Sequence, residues 1–135
     1  MPQMRISEAA VYLGVSDDTV RRWVDRGQLT ADRDDSGRKV VDGYEVAMVA
    51  REHATPPGLP DGMKSSARNR FVGLVTDLTV DTVMAQVELQ CGPFRVVSLL
   101  SSEAVRDLGL ERGSVAVATI KSTNVVLETP GRDDA

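Results

Sequence analysis

Nine residues, 54–62, decide how this chain can fold. They hold Pro56, Pro57 and Pro60 together with Gly58 and Gly62. Proline removes a backbone donor and fixes φ, and glycine adds chain entropy, so neither helix nor strand survives that density. The stretch reads as a partly extended, semi-rigid linker, placed at residues 54–64. Each side must then bury a core of its own, over residues 1–53 and 65–130, with a polar, frayed tail at 131–135. In a chain of 135 residues both cores are small and marginal. Aromatics make up only 4%, so Val, Leu, Ala and Ile must fill them.

The bulk properties exclude more than they assign. A net charge of -4 argues against a non-specific polycation, so any DNA contact needs a local basic face. The lone Cys91 excludes an intramolecular disulfide framework and fits a reducing compartment. Residues 1–6 are no signal peptide, and no apolar run is long enough to span a bilayer. The expectation is a cytoplasmic protein with no membrane partner. The sequence shows no Ser/His/Asp or Cys/His constellation, no P-loop and no cluster of metal ligands, so no catalytic residue and no bare metal ion are assigned.

In the first half, Ser7 can cap a helix over residues 8–13, which Gly14 stops. Ser16 caps a second helix, with Asp17 and Asp18 in its first turn, where the dipole favours them. Val20, Trp23 and Val24 recur at i, i+3 and i+4 and form its buried stripe. Thr19, Arg22 and Arg26 share another face, with Arg21 beside it, and Gly27 ends the helix. Residues 29–33 and 38–41 read as two strands joined by the turn Asp34-Asp35-Ser36-Gly37. Asp42 caps a third helix over 43–53, with Tyr44, Ala47, Val46 and Ala50 packing inward. His53 reads as a helix-end residue, without a second ligand beside it. The plainer reading of Arg21, Arg22 and Arg26 is that they pair with Asp17, Asp18 and Asp25 on a solvated face.

The second half changes period. Residues 71–79 read as a strand, and Val83, Ala85, Val87 and Leu89 then alternate with Met84, Gln86, Glu88 and Gln90. Residues 94–100 form a third strand, Ser102 caps a short helix that Gly109 stops, and 114–120 and 125–127 give a fourth and a fifth strand. That order is the order of a small OB-type barrel. Residues 114–120 are apolar on both faces, which calls for burial against the barrel core and against another chain. The barrel carries few aromatics, Phe71 and Phe94, too few for stacking single-stranded bases. Two segments, Ser66-Ala67-Arg68-Asn69-Arg70 and Ile120-Lys121-Ser122, combine fixed cations, small hydroxyls and free backbone donors without a carboxylate. That chemistry suits a small oxyanion. The plainer reading makes Arg68 and Lys121 ordinary surface cations. Cys91, at a turn, reads as a bystander.

Residues 3–53, through Ile6-Ser7-Glu8-Ala9-Ala10-Val11-Tyr12-Leu13-Gly14-Val15-Ser16 and Thr19-Val20-Arg21-Arg22-Trp23-Val24, resemble the MerR-like and excisionase-like winged helix-turn-helix family. The resemblance implies double-stranded DNA as partner, with Thr19, Arg21, Arg22 and Arg26 on the reading helix and Arg38 and Lys39 on the wing. Acidic residues outnumber basic ones in this half, so binding would draw on several copies of the module.

Residues 65–129 resemble the Mop domain of molybdate- and tungstate-binding proteins. The likeness runs through Ser66-Ala67-Arg68-Asn69-Arg70-Phe71-Val72-Gly73, Ser101-Ser102-Glu103-Ala104-Val105-Arg106-Asp107-Leu108-Gly109-Leu110 and Ile120-Lys121-Ser122-Thr123-Asn124. It implies a molybdate or tungstate ligand held at contacts between subunits by Ser66, Ala67, Arg68, Lys121 and Ser122, with Ser101 helping. It also implies a homo-oligomer, a trimer or hexamer. The fold class expected is therefore α+β in two domains, a winged helix-turn-helix followed by a small OB-like barrel. The function expected is an oxyanion-responsive transcriptional regulator, with intracellular oxyanion storage as the alternative.

Overall fold

The computed structural model describes residues 2–131. The chain forms two compact units, with the boundary between Thr55 and Pro56. The tail expected at 131–135 lies, from residue 132 onward, outside the described residues.

The first unit runs β1 (Gln3–Arg5), α1 (Ile6–Leu13), α2 (Asp17–Asp25), β2 (Ala31–Arg33), β3 (Lys39–Asp42) and α3 (Gly43–His53). Its core joins Ile6, Ala9 and Ala10 of α1 to Val20, Leu29, Val41, Val46 and Val49, with Trp23 and Val24 half-buried against them. Gly14 takes the left-handed conformation, φ 68, which closes α1 and lets α2 fold back. Ser16 caps α2 by accepting the Thr19 N–H at 3.2 Å, and Asp42 caps α3 by accepting that of Glu45 at 3.1 Å.

Several local details differ from expectation. Helix α1 starts at Ile6 with Arg5 at its cap; the Glu8 carboxylate reaches back to the Arg5 N–H, and Ser7 lies exposed inside the helix. Strand β1 was not foreseen. It pairs with β3, giving a three-stranded sheet of order β1-β3-β2. Three residues are too short to show a period, so only the partner strand defines it. On α3, Val46 and Val49 face the core while Tyr44 and Ala47 are exposed, because the helix is inserted through one narrow stripe. Its N-terminal turn is fixed by Glu45, which accepts the Thr30 N–H at 2.7 Å and the Thr30 hydroxyl at 3.1 Å.

The second unit contains β4 (Asn69–Val80), β5 (Met84–Cys91), β6 (Phe94–Ser101), α4 (Ser102–Leu108) and β7 (Val115–Ile120). The strands form one curled antiparallel sheet of order β6-β5-β4-β7, the half-barrel of an OB-like domain. Ala85, Val87, Leu89 and Cys91 point inward with Val75, and Val105 of α4 covers them. The two-residue period of β5 is thus real, although Val83 falls in the turn before it and is exposed. No fifth strand forms at 125–127: after β7 the chain makes a single turn of 3-10 helix, Ser122–Asn124, and continues without a ladder partner among the described residues. Helix α4 is capped by Ser101, whose Oγ accepts the Ala104 N–H at 3.0 Å. Ser102 is instead buried and donates its hydroxyl to the Thr82 carbonyl at 3.0 Å.

The turn between β4 and β5 depends on Asp81. Its carboxylate accepts the N–H groups of Met84 at 2.7 Å and Val83 at 2.8 Å, which hold its pKa below the ordinary aspartate value. A depressed folded pKa gives stability that is present at neutral pH and is lost as pH falls through that folded value. Thermal melts of the chain between about pH 7 and pH 3 should therefore show a steeper loss than melts of Asp81→Asn, which cannot titrate there. Parallel loss in both would place the acid sensitivity elsewhere.

Candidate functional site

The two donor-rich segments meet in a single chain. Strands β4 and β7 pair so that Asn69 stands opposite Ile120 and Arg70 opposite Thr119. The Asn69 side-chain amide donates to the Ile120 carbonyl at 3.1 Å, locking the strand ends together. Ser66, Ala67 and Arg68 enter this corner from one side, and Lys121 and Ser122 leave it on the other. Ser66, Arg68, Lys121 and Ser122 are exposed, whereas Ala67 is buried. Among the described residues neither Arg68 nor Lys121 forms a salt bridge. Residues 65–70 and 119–124 thus bring three cations, Arg68, Arg70 and Lys121, together with hydroxyls and backbone donors, and contain no carboxylate. Such a set favours an anion and repels a bare metal ion.

Ser101 lies elsewhere. It pairs with Met84 at the far end of β6 and is occupied as the cap of α4. Within one chain it does not join the other five residues. Beside the corner, the concave face of the sheet holds an open apolar groove of about 590 Å³, lined by Val87, Leu89, Val96, Ala116 and Ala118 among others. Val115 is 60% exposed and Leu99 70% exposed, so the apolar strands β6 and β7 are not covered within the chain.

In the first unit, α2 presents Arg21, Arg22 and Arg26 exposed, with Thr19 half-buried. The Arg21 guanidinium meets the Asp18 carboxylate at 3.2 Å, an exposed pair that contributes little and leaves the arginine free to exchange partners. Arg22 donates to the Thr19 hydroxyl at 3.1 Å, and that hydroxyl also meets Ser16 Oγ at 3.0 Å. The wing turn is built by Asp34, whose carboxylate accepts the N–H groups of Ser36 and Arg38, both at 2.9 Å. Arg33 donates to the Gly37 carbonyl at 2.6 Å, so the exposed Arg38 and Lys39 sit on a braced hairpin. His53 stacks on Trp23, with ring centroids 4.8 Å apart and 11° between planes, which fixes the end of α3 on α2.

Residues 4–47 match the Helix-turn-helix domain family and residues 65–127 the TOBE domain family. The second half is 36% identical over 66 residues to Molybdenum-pterin-binding protein 1 of Clostridium pasteurianum, covering 48% of this chain and 97% of that protein. The chain belongs to the TOBE-domain family. The TOBE half is also 40% identical over 68 residues to Molybdenum transport protein ModE of Herbaspirillum seropedicae, covering 50% of this chain but only 25% of that relative. Among solved structures it is similar to a chain of the cytoplasmic molybdate-binding protein ModG with molybdate bound, at 38% identity and a TM-score of 0.49, covering 51% of this chain and 50% of that one.

Two residues of the TOBE corner escaped the sequence reading as participants. Asn69 was one letter in a motif, yet it ties β4 to β7. Ser65 was outside the motif, yet its Oγ accepts the Ala67 N–H at 3.0 Å and its carbonyl accepts from Arg70 Nη2 at 2.6 Å. The absence of any carboxylate from either segment was the readable signal. The contacts themselves join residues up to 51 positions apart and need the register of the sheet. Cys91 is buried beside this strand pair, and burial pushes its thiol pKa up, away from reactivity. Among the described residues no helix is long and apolar enough to cross a membrane.

Proposed function

We propose that this chain is a DNA-binding transcriptional regulator that responds to molybdate or tungstate. One observation supports the reading: the Asn69–Ile120 pairing joins the strand ends next to Ser66, Ala67 and Arg68 on one side and Lys121 and Ser122 on the other, and neither segment contains a carboxylate. A tetrahedral dianion can be ringed there by hydroxyls and backbone N–H groups, with Arg68 and Lys121 adding charge-assisted bonds. The relatives named for molybdenum and molybdate match this same half. Ser101, at the other end of the sheet, would reach a ligand only from a second copy, and the uncovered apolar groove gives that copy a surface to bury. A homo-oligomer would also multiply the helix-turn-helix modules, and with them the affinity for DNA. Thr19, Arg21, Arg22 and Arg26 would meet DNA from α2, and Arg38 and Lys39 would meet phosphates from the wing.

The alternative is a storage or buffering protein whose first unit makes protein contacts. The excess of acidic over basic residues in that unit favours it. Fluorescence anisotropy with a labelled duplex from the operator region of a molybdate-uptake gene cluster separates the two. A regulator binds it with an affinity that changes on adding molybdate, because the ligand must favour one arrangement over another. It also loses binding in Arg21→Ala/Arg22→Ala, with a shallower salt dependence. Equal affinity with and without molybdate, and no effect of the arginines, would leave storage.

A further inference from the structure

Arg70 stands on β4 one residue past the corner, opposite Thr119 of β7. Its half-buried side chain turns back along the chain. Nη2 donates to the Ser65 carbonyl at 2.6 Å, and Nε is buried without a hydrogen-bond partner among the described residues. Leaving a buried guanidinium N–H unmet is costly, and the bond to the Ser65 carbonyl is the one hydrogen bond observed to hold this side chain among the described residues. What it holds is the start of the oxyanion segment. Ser65, once gripped through its carbonyl, accepts the Ala67 N–H on its hydroxyl at 3.0 Å, and Ala67 is 7% exposed. Ser66 lies between these two bonds, and Arg68 follows directly after them.

We propose that Arg70 is a positioning residue for oxyanion binding: by clamping the Ser65 carbonyl it presets the loop that carries Ser66 and Arg68, without itself touching the ligand. The inference rests on the oxyanion reading of this corner. The physics is preorganisation. A loop that is ordered before the anion arrives does not lose that freedom on binding, and the affinity is higher by the entropy spared.

The test uses the full chain and sodium molybdate, with two readouts. Isothermal titration gives affinity, and amide hydrogen exchange of the ligand-free protein gives the protection of the Ala67 N–H. Arg70→Ala should weaken molybdate binding on the order of tenfold, the equivalent of one hydrogen bond to a charged group. It should also speed exchange at Ala67 before any ligand is added. Arg70→Lys keeps the charge and can still donate to the Ser65 carbonyl, so it should recover both readouts together. The proposal is overturned if Arg70→Ala binds as tightly as the parent, or if affinity falls while Ala67 protection is unchanged. It is overturned equally if Arg70→Lys restores affinity but not protection, because that result makes Arg70 a distant charge only. If the parent chain itself binds no molybdate, the oxyanion reading falls. The Ala67 exchange rates then judge the loop clamp alone.

Discussion

Replacing Arg68 and Lys121 together by alanine is expected to abolish measurable molybdate binding while both units stay folded. Both side chains are exposed, and among the described residues neither serves an ion pair that would be broken. Their removal therefore costs the fold little, since surface substitutions away from such features change stability by about 0.5 kcal/mol or less. The ligand loses much more. A hydrogen bond to a charged group contributes about 1.5–3 kcal/mol, so each single substitution should weaken binding roughly tenfold to a hundredfold. The two cations serve one small dianion, so the double variant need not equal the product of the singles. Calorimetric titration with molybdate, and with sulfate as the control for charge alone, measures this directly. Unchanged affinity in both single variants would refute the site, because Arg68 and Lys121 are the two cations to which the site assigns direct contact with the ligand, Arg70 being turned to the Ser65 carbonyl.

Much of this corner was legible before the structure because its chemistry is local. Ser-Ala-Arg and Lys-Ser each announce donors within three residues, and the lack of acids is visible without coordinates. The same holds for the caps of α2 and α3, where Ser16 and Asp42 act on residues three positions on. Errors gathered where a second partner decides the outcome. Ser101 and Ser102 are both competent caps, and only the pairing of Ser101 with Met84 and the burial of Ser102 under Thr82 select between them. Residues 125–127 have the β-branched composition of a strand, with Val126 82% and Leu127 89% exposed, but within the chain no neighbouring strand takes their donors among the described residues. Propensity proposes a strand; a ladder partner makes it one. Tyr44 shows the same on α3, where the helical period allowed it inward but Val46 and Val49 take the core-facing stripe and Tyr44 lies exposed.

Gly73→Ala is expected to destabilise the second unit by about 3 kcal/mol, near the upper end of what overpacking usually costs. A Cβ built at this position of β4 would lie 2.5 Å from the Gln90 carbonyl oxygen and 2.6 Å from Cys91 Sγ. Neither neighbour can step aside easily. Gln90 is paired with Leu74 in the β4–β5 ladder, so its carbonyl moves only if the strand moves, and Cys91 is buried in the core. The glycine is needed for space, since its φ is not in the left-handed region. Strand β5 approaches closely at this point, and β4 carries Asn69 four residues upstream, so the strain would reach the Asn69–Ile120 pairing. Urea melts can localise the loss. The single tryptophan, Trp23, reports the first unit by fluorescence, while far-UV circular dichroism reports both. The second-unit transition should fall and the Trp23 transition should hold; equal shifts of both would mean the units unfold as one. Adding Cys91→Ala removes the sulfur but leaves the carbonyl, so the double variant should regain only part of the loss. Complete recovery would show that the thiol, rather than the backbone of β5, sets the distance between these strands.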